Sequence, residues 1–258
     1  MFHTFFYQPI YNLLIVIYNI IPGHDLGIAI IVLTIIIKTA LLPLTKKQIK
    51  SQKALQDLQP KIEEIKKKFK DKKDAMAKAM MDLYKKDKVN PFSSCLPLII
   101  QLPFLWAVFR IFRTGLNGES LSLVYSFIDK PEVLNTMAFG LFDLAEPKNL
   151  ILALMAAVAT FWQAKMMSTK KPAVKSKGAK DENIMAIMNK QMLFFMPVIT
   201  FFISYQFPAG LALYWLTTTV LTGLQQMYIF KNPSASSGQG RNGDKEKGQK
   251  VIEGEVVK

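Results

Sequence analysis

The sequence predicts an all-α, polytopic membrane protein: a bundle of five transmembrane helices that carries a cytosolic antiparallel helical hairpin. Three observations predict it. The chain has 258 residues, 50% of them hydrophobic and 20% charged, and the two kinds lie in separate long blocks. Such segregation marks membrane spans rather than a soluble core. The net charge of +14 is mostly lysine, and the lysine-rich segments all fall on one side when the apolar blocks are threaded back and forth. Finally, one apolar block holds a lysine, Lys38, which is costly in hydrocarbon.

Residues 1–23 form the first unit. The run 4–21 is aromatic and apolar but interrupted by Gln8, Pro9, Asn12 and Asn19. Those breaks favour a helix lying flat at the outer interface, although the run is just long enough to span. It lacks the basic n-region and small-residue cleavage site of a cleavable signal, and no cysteine is placed there to take a lipid. Pro22-Gly23 turns the chain into the next helix.

Residues 24–231 are the main unit, and its first span is 26–44 (LGIAIIVLTIIIKTALLPL). About 19 residues at about 1.5 Å each cross the hydrocarbon core. A lysine near the middle of such a helix costs roughly 2.5–3.5 kcal/mol, so a functional role is the default. Snorkelling to the cytosolic headgroups is the plainer alternative.

Residues 45–90 read as the cytosolic hairpin. Leu55, Leu58, Ile62, Ile65 and Phe69 repeat at spacing 3, 4, 3, 4, a coiled-coil-type seam. Met76, Met80 and Leu83 restart it on a shorter helix that ends at Asn90-Pro91. Fifteen lysines against seven acids between Lys46 and Lys88 assign this segment to the cytosol.

The second span, 94–114, returns outward through Pro97 and Pro103, which a bundle tolerates. Arg110 and Arg113 at its outer end oppose the positive-inside trend and are expected to snorkel or to pair with outer acids. Residues 115–148 carry five acids and two lysines, as an outer loop too short and irregular to be a domain. The spans 149–167, 191–207 and 211–230 follow. A flexible cytosolic lysine-rich link, 168–190, joins the first two, and the turn Phe207-Pro208-Ala209-Gly210 joins the last. The basic tail 232–258 is expected to be disordered. This places the protein in the cell membrane as a multi-pass chain, N-terminus outside and C-terminus cytosolic.

The spans carry polar residues on defined faces. Thr34 and Lys38 are four apart, and Thr45 continues their stripe. Gln101 lies in the second span, Thr160 and Gln163 in the third, Thr200 and Ser204 in the fourth. Tyr214, Thr218, Thr222 and Gln225 follow spacing 4, 4, 3 in the fifth. Such residues commonly just hold helices together. Five polar faces around one lysine, with no Asp or Glu in any span, point instead to a wet cavity whose cation awaits an anionic ligand.

Nothing supports an enzyme. There is no Gly-rich phosphate loop and no GxSxG. The two histidines, His3 and His24, make no metal cluster, and Cys95 alone forms no intramolecular disulfide. No cofactor is expected.

Four blocks together resemble the YidC/Oxa/Alb membrane-protein insertases: Thr34–Gln48 (TIIIKTALLPLTKKQ), Leu58–Phe69 (LQPKIEEIKKKF), Leu83–Pro103 (LYKKDKVNPFSSCLPLIIQLP) and Phe207–Trp215 (FPAGLALYW). The resemblance runs from Leu26 to about Lys231. It implies a hydrophilic groove in which Lys38 takes the place of a conserved positive residue, arginine in many members. Lysine keeps the charge but loses the planar fork. Thr34, Gln101, Tyr214 and Trp215 match further groove or substrate-contact positions, and Thr218 joins them on the polar stripe. The large extracytoplasmic domain of some members is not expected here, where the outer side offers only short loops as in minimal members, nor is the N-terminal lipoprotein signal seen in some relatives. The function implied is to move short extracytoplasmic segments of substrate proteins through the groove and release their helices into lipid. The implied partners are nascent membrane proteins, the ribosome, the Sec translocon, the signal recognition particle and its receptor, and membrane lipids. A small transporter or channel with Lys38 as an anion site is the rival class. It lacks the internal repeat and paired half-helices expected of it.

Overall fold

The computed structural model describes residues 3–69, 72–90, 96–115, 118–167 and 182–231. The expected disordered tail, most of the 168–190 link and Cys95 lie outside them. The described chain is mostly helical. A π-helical turn, His3–Tyr7, leads into α1 (Gln8–Ile20), followed by α2 (Leu26–Ala40), α3 (Leu42–Asp57), α4 (Gln59–Lys68) and α5 (Lys73–Lys86). Then come α6 (Leu96–Arg110) with a π-helical turn (Ile111–Gly115), a 3-10 turn (Gly118–Leu123) and a two-residue hairpin of β1 (Met137–Ala138) and β2 (Phe142–Asp143). The last three helices are α7 (Leu150–Met167), α8 (Glu182–Gln206) and α9 (Ala209–Lys231).

The helices sort their ends onto two poles. At one pole the Asp25 carboxylate caps α2, accepting from the Ile28 amide at 2.9 Å, and also accepts from the Phe139 amide of the β-hairpin. The turn between α8 and α9 is pinned there too. Ala209 N–H donates to Glu146 O, Gly210 N–H to Leu144 O, and Lys148 N–H to Tyr205 O. A Cβ on Gly27 would strike Ala138, and one on Gly210 would strike the Phe112 ring. Glycine at these two positions is what lets the cap approach the helix ends so closely.

Helix α1 belongs to that same pole. Its most buried side chains, Tyr11 and Ile15, pack into the principal core with Leu26, Ile30 and Leu33 of α2. The amides that interrupt its apolar pattern are loop anchors. Gln8 and Asn12 both donate to Leu123 O, Asn12 accepts from Tyr125 N–H, and Asn19 donates to Asp129 O. Tyr18 OH accepts from Asn135 N–H. A loop that follows α1 from Gln8 to Asn19 runs about 16 Å along it.

At the opposite pole lie α3, α4 and α5. Three expectations are corrected on the way there. The block 26–44 is not one straight helix: it breaks at Leu41, with α3 beginning at Leu42-Pro43, and the two parts are bent by 70°. Proline at a first-turn position gives up no hydrogen bond, so it starts a new helix as readily as it interrupts an old one. Lys38 therefore sits in the last turn of α2 rather than mid-helix. The seam 55–69 is likewise divided at Leu58, because Pro60 opens α4. Helix α4 contacts α5, and the Lys61–Asp87 ion pair at 3.1 Å ties them; Ile62 of α4 and its N-cap Leu58 are buried. Partial burial holds the Lys66 ammonium below the usual lysine range, against the opposing pull of Glu63. Finally, residues 182–190, expected to be flexible, are the first turns of α8.

Helix α7 packs closely against both α8 and α9, and α9 also lies along α2. Around its apolar core the bundle turns large apolar side chains outward and buries several polar ones. Leu154 and Val158 of α7, Phe195 and Phe202 of α8, and Ile99 and Leu102 of α6 are exposed, whereas Thr34, Thr200, Ser204, Thr219 and Gln226 are buried. So large an exposed apolar belt needs a lipid or protein cover. By length and composition, no single described helix is long and apolar enough to cross a membrane; α2 with α3–α4 passes as a bent pair. Helix α9 has 23 residues, but its own Thr and Gln stripe dilutes its apolarity.

Candidate functional site

Three helices, α2, α6 and α9, position the candidate site. Helix α9 supplies its spine: Tyr214, Thr218 and Thr222 recur every four residues, so they lie near one face. Tyr214 and Thr218 are buried and Thr222 is half-buried.

Lys38 meets this spine from α2. Its Nζ donates to the Thr222 hydroxyl at 2.9 Å. The Thr222 hydroxyl in turn donates to Thr218 O one turn back at 2.7 Å, which leaves its lone pairs for the ammonium. Lys38 faces no carboxylate among the described residues. The bond crosses the bundle in place of a path to the pole, so Lys38 is oriented inward despite its place in the last turn.

Gln101 meets the same spine from α6, two turns of α9 further along. Its Nε2 donates to Tyr214 OH at 2.5 Å. About 12 Å along the axis separates Tyr214 from Thr222. The expected residues therefore form two cross-helix contacts on one track rather than a single cluster. Thr34 is buried one turn from Lys38, but its hydroxyl donates to Ile30 O of its own helix at 2.6 Å. Trp215 is half-buried beside Tyr214.

The hydroxyls do not join helices in general. Thr34, Thr45, Thr160, Thr217 and Thr222 each donate to the carbonyl four residues back. Such bonding satisfies the proton locally and still offers the oxygen as an acceptor. In Thr222 that offer is taken up.

A second polar group lies on α3 and α9, outside the site residues expected from the sequence. Gln48 (6% exposed) and Gln226 (3%) are buried, and Gln48 Nε2, Gln52 Oε1, Gln225 Oε1 and Gln226 Oε1 have no hydrogen-bond partner. Helices α3 and α9 touch here, with Lys53 Nζ 5.6 Å from the centre of the Phe230 ring. Buried amides without partners mark a place for water or a polar ligand. The signal for it is Gln48, Gln52 and Gln56 at helical spacing, in a segment whose lysines speak only to its side of the membrane.

Arg110 and Arg113, expected to snorkel or meet acids, form no ion pair with an acid among the described residues and lie over aromatic rings. The Arg110 guanidinium is 5.3 Å from the ring centres of both Tyr7 and Trp106, and that of Arg113 is 5.8 Å from that of Phe109.

Residues 16–236 match the profile of the family described as 60Kd inner membrane protein. A protein of Fusobacterium nucleatum subsp. nucleatum named membrane protein insertase YidC is 34% identical over 207 residues, 80% of this chain and 87% of the relative. Proteins of the same name from Geotalea daltonii and Citrifermentans bemidjiense are 36% and 38% identical over 81% and 80% of this chain. The chain spans about a third of the length of these last two.

Proposed function

The chain belongs to the 60Kd inner membrane protein family, and from that premise we infer that it is a membrane protein insertase and chaperone. It moves short extracytoplasmic segments of substrate proteins along a hydrophilic track and releases their transmembrane helices into the bilayer. The single observation that carries this reading is Lys38: a cation bonded across the bundle to a neutral hydroxyl, with no carboxylate facing it among the described residues.

The proposed topology follows the two poles. Helices α2, α6, α7, α8 and α9 cross the bilayer, and the exposed belt meets lipid. Helices α2 and α6 have 15 residues each, or about 22 Å; the π-helical turn extends α6, while α2, whose continuation bends away by 70°, crosses by local thinning of the bilayer. The lysine-rich pole of α3–α5 is cytosolic by the positive-inside rule. The capped pole is then outside, and α1, held along the outer loop, lies in the interface rather than through it.

In the mechanism, a substrate approaches from the cytosol with a short acidic segment ahead of an apolar helix. The unpartnered amide atoms Gln48 Nε2, Gln52 Oε1, Gln225 Oε1 and Gln226 Oε1 replace part of the segment's hydration at entry. The Lys38 ammonium attracts its negative charge more strongly than it would in bulk water, because the effective dielectric is lower. Thr218, Tyr214 and Gln101 continue the polar track outward, with Thr34 and Trp215 beside it. The apolar helix then partitions onto the exposed belt. No bond is made or broken and no cofactor takes part. The α4–α5 hairpin gates entry or docks the targeting machinery. The remaining partners are the ribosome, the Sec translocon, the signal recognition particle with its receptor, and membrane lipids.

Reconstitution tests the reading. Proteoliposomes of the full chain should convert a single-span substrate to a protease-protected form without nucleotide. Anion flux in the absence of any insertion would instead mark a transporter.

A further inference from the structure

We propose that Arg110 and Arg113, at the end of an exposed apolar stripe on α6, form a binding site for an anionic phospholipid of the outer leaflet. The site goes beyond the insertase reading and does not depend on substrate handling. It rests on the membrane topology alone.

Ile99, Leu102, Trp106 and Arg110 follow spacing 3, 4, 4, so they share one face of α6. The three apolar members are exposed, at 57%, 50% and 40%. Arg113 follows in the π-helical turn and is exposed. The stripe from Ile99 to Arg110 is about 16 Å long, close to the depth of one leaflet's acyl chains. A cationic end on a greasy stripe of that length matches a phospholipid lying along the helix.

The chemistry of the two guanidiniums supports a phosphate. Each is placed over aromatic faces: Arg110 between Tyr7 and Trp106, Arg113 over Phe109, which is itself fixed edge-on against Phe207. An aromatic face holds the guanidinium plane and leaves its N–H edge to bond in-plane. Neither side chain donates a hydrogen bond or forms an ion pair among the described residues. Two preoriented forks without acceptors fit the two non-bridging oxygens of a phosphodiester. Anionic lipids leave that charge uncompensated, whereas phosphatidylcholine carries its own cation beside it. The site also accounts for two arginines at a pole where the positive-inside rule disfavours them.

Trp106 reports on the site directly. The experiment uses the full chain with Trp162→Phe and Trp215→Phe, so that Trp106 is the one remaining tryptophan. It is reconstituted into phosphatidylcholine vesicles that contain brominated phosphatidylglycerol or, at the same mole fraction, brominated phosphatidylcholine. Bromine quenches only a neighbouring indole, so lipid gathered by the lysines of the opposite pole is not read. Quenching by the phosphatidylglycerol probe should correspond to about tenfold local enrichment, as expected for a charge-assisted pair of bonds. Arg110→Gln with Arg113→Gln should bring the two probes to parity. Arg113→Gln alone, at an exposed residue, should lower enrichment severalfold even if the double variant folds poorly. Lys130→Gln, which removes another cation of the same pole, should leave it intact. Parity of the probes in the unsubstituted protein would overturn the proposal. So would enrichment that survives Arg113→Gln, loss on Lys130→Gln, or full reversal by millimolar inorganic phosphate.

Discussion

Lys38 Nζ on α2 donates to the Thr222 hydroxyl on α9 at 2.9 Å, and this contact ties the chain's most anomalous charge to the polar spine of its last helix. The acceptor is neutral. It orients the ammonium without cancelling its charge, whereas a carboxylate there would do both.

Replacing Thr222 tests that arrangement. Thr222→Val keeps the shape but leaves the ammonium without its acceptor, at a cost of about 1–3 kcal/mol. The apparent Tm in detergent should fall, and insertion of an acidic-tailed substrate should fall with it. Thr222→Ser should retain both. A valine variant equal to the parent in both measurements would mean the contact carries nothing.

The Gln101–Tyr214 bond is a second cross-helix tie. Tyr214→Phe removes the acceptor of the Gln101 amide, and Gln101→Leu removes the donor. Each single change should destabilise by about 1–3 kcal/mol. In a double-mutant cycle the pair should couple by about 1 kcal/mol. Additive losses, read by chemical denaturation in detergent, would show that the two side chains act separately.

Helix α9 also meets α7 at a position that admits no side chain. A Cβ on Gly223 would collide with the Trp162 ring. Gly223→Ala should therefore cost about 1–3 kcal/mol through overpacking, and Trp162→Leu in the same chain should restore part of it. An alanine variant with unchanged Tm would contradict the close α7–α9 contact.

The cap at the pole opposite α3–α5 is held by Asp25, which bonds both the start of α2 and the β-hairpin. Asp25→Ala should destabilise by about 1–2 kcal/mol as a lost N-cap. Hydrogen exchange should quicken at the Ile28 and Phe139 amides together. Faster exchange at Ile28 alone would mean the hairpin is held by other contacts.

Much of this was legible in the sequence. The cores of α6, α7, α8 and α9 fall where long apolar blocks place them, because hydropathy is read by length and needs no partner. The breaks at Leu41 and Leu58 were not legible. Pro43 and Pro60 sit in first turns, where proline is as compatible with a fresh start as with a tolerated interruption. The amides of α1 looked like concessions to an interface, and their bonds to Leu123 and Asp129, more than a hundred residues away, carry no local signal. For Lys38 the charge and the missing acids were plain, while its partner Thr222 lay in a stripe of equivalent hydroxyls. Pairing one of them with Lys38 needed the α2–α9 register.

The central claim is that the Lys38 charge draws acidic segments into the bundle, and exchanging that charge in proteoliposomes tests it most directly. With a substrate whose leading segment is acidic, Lys38→Arg should insert within about twofold of the parent, since the charge is kept. Lys38→Glu should insert at least about tenfold less, since attraction becomes repulsion at low effective dielectric. Normal insertion of that substrate by Lys38→Glu would contradict the account.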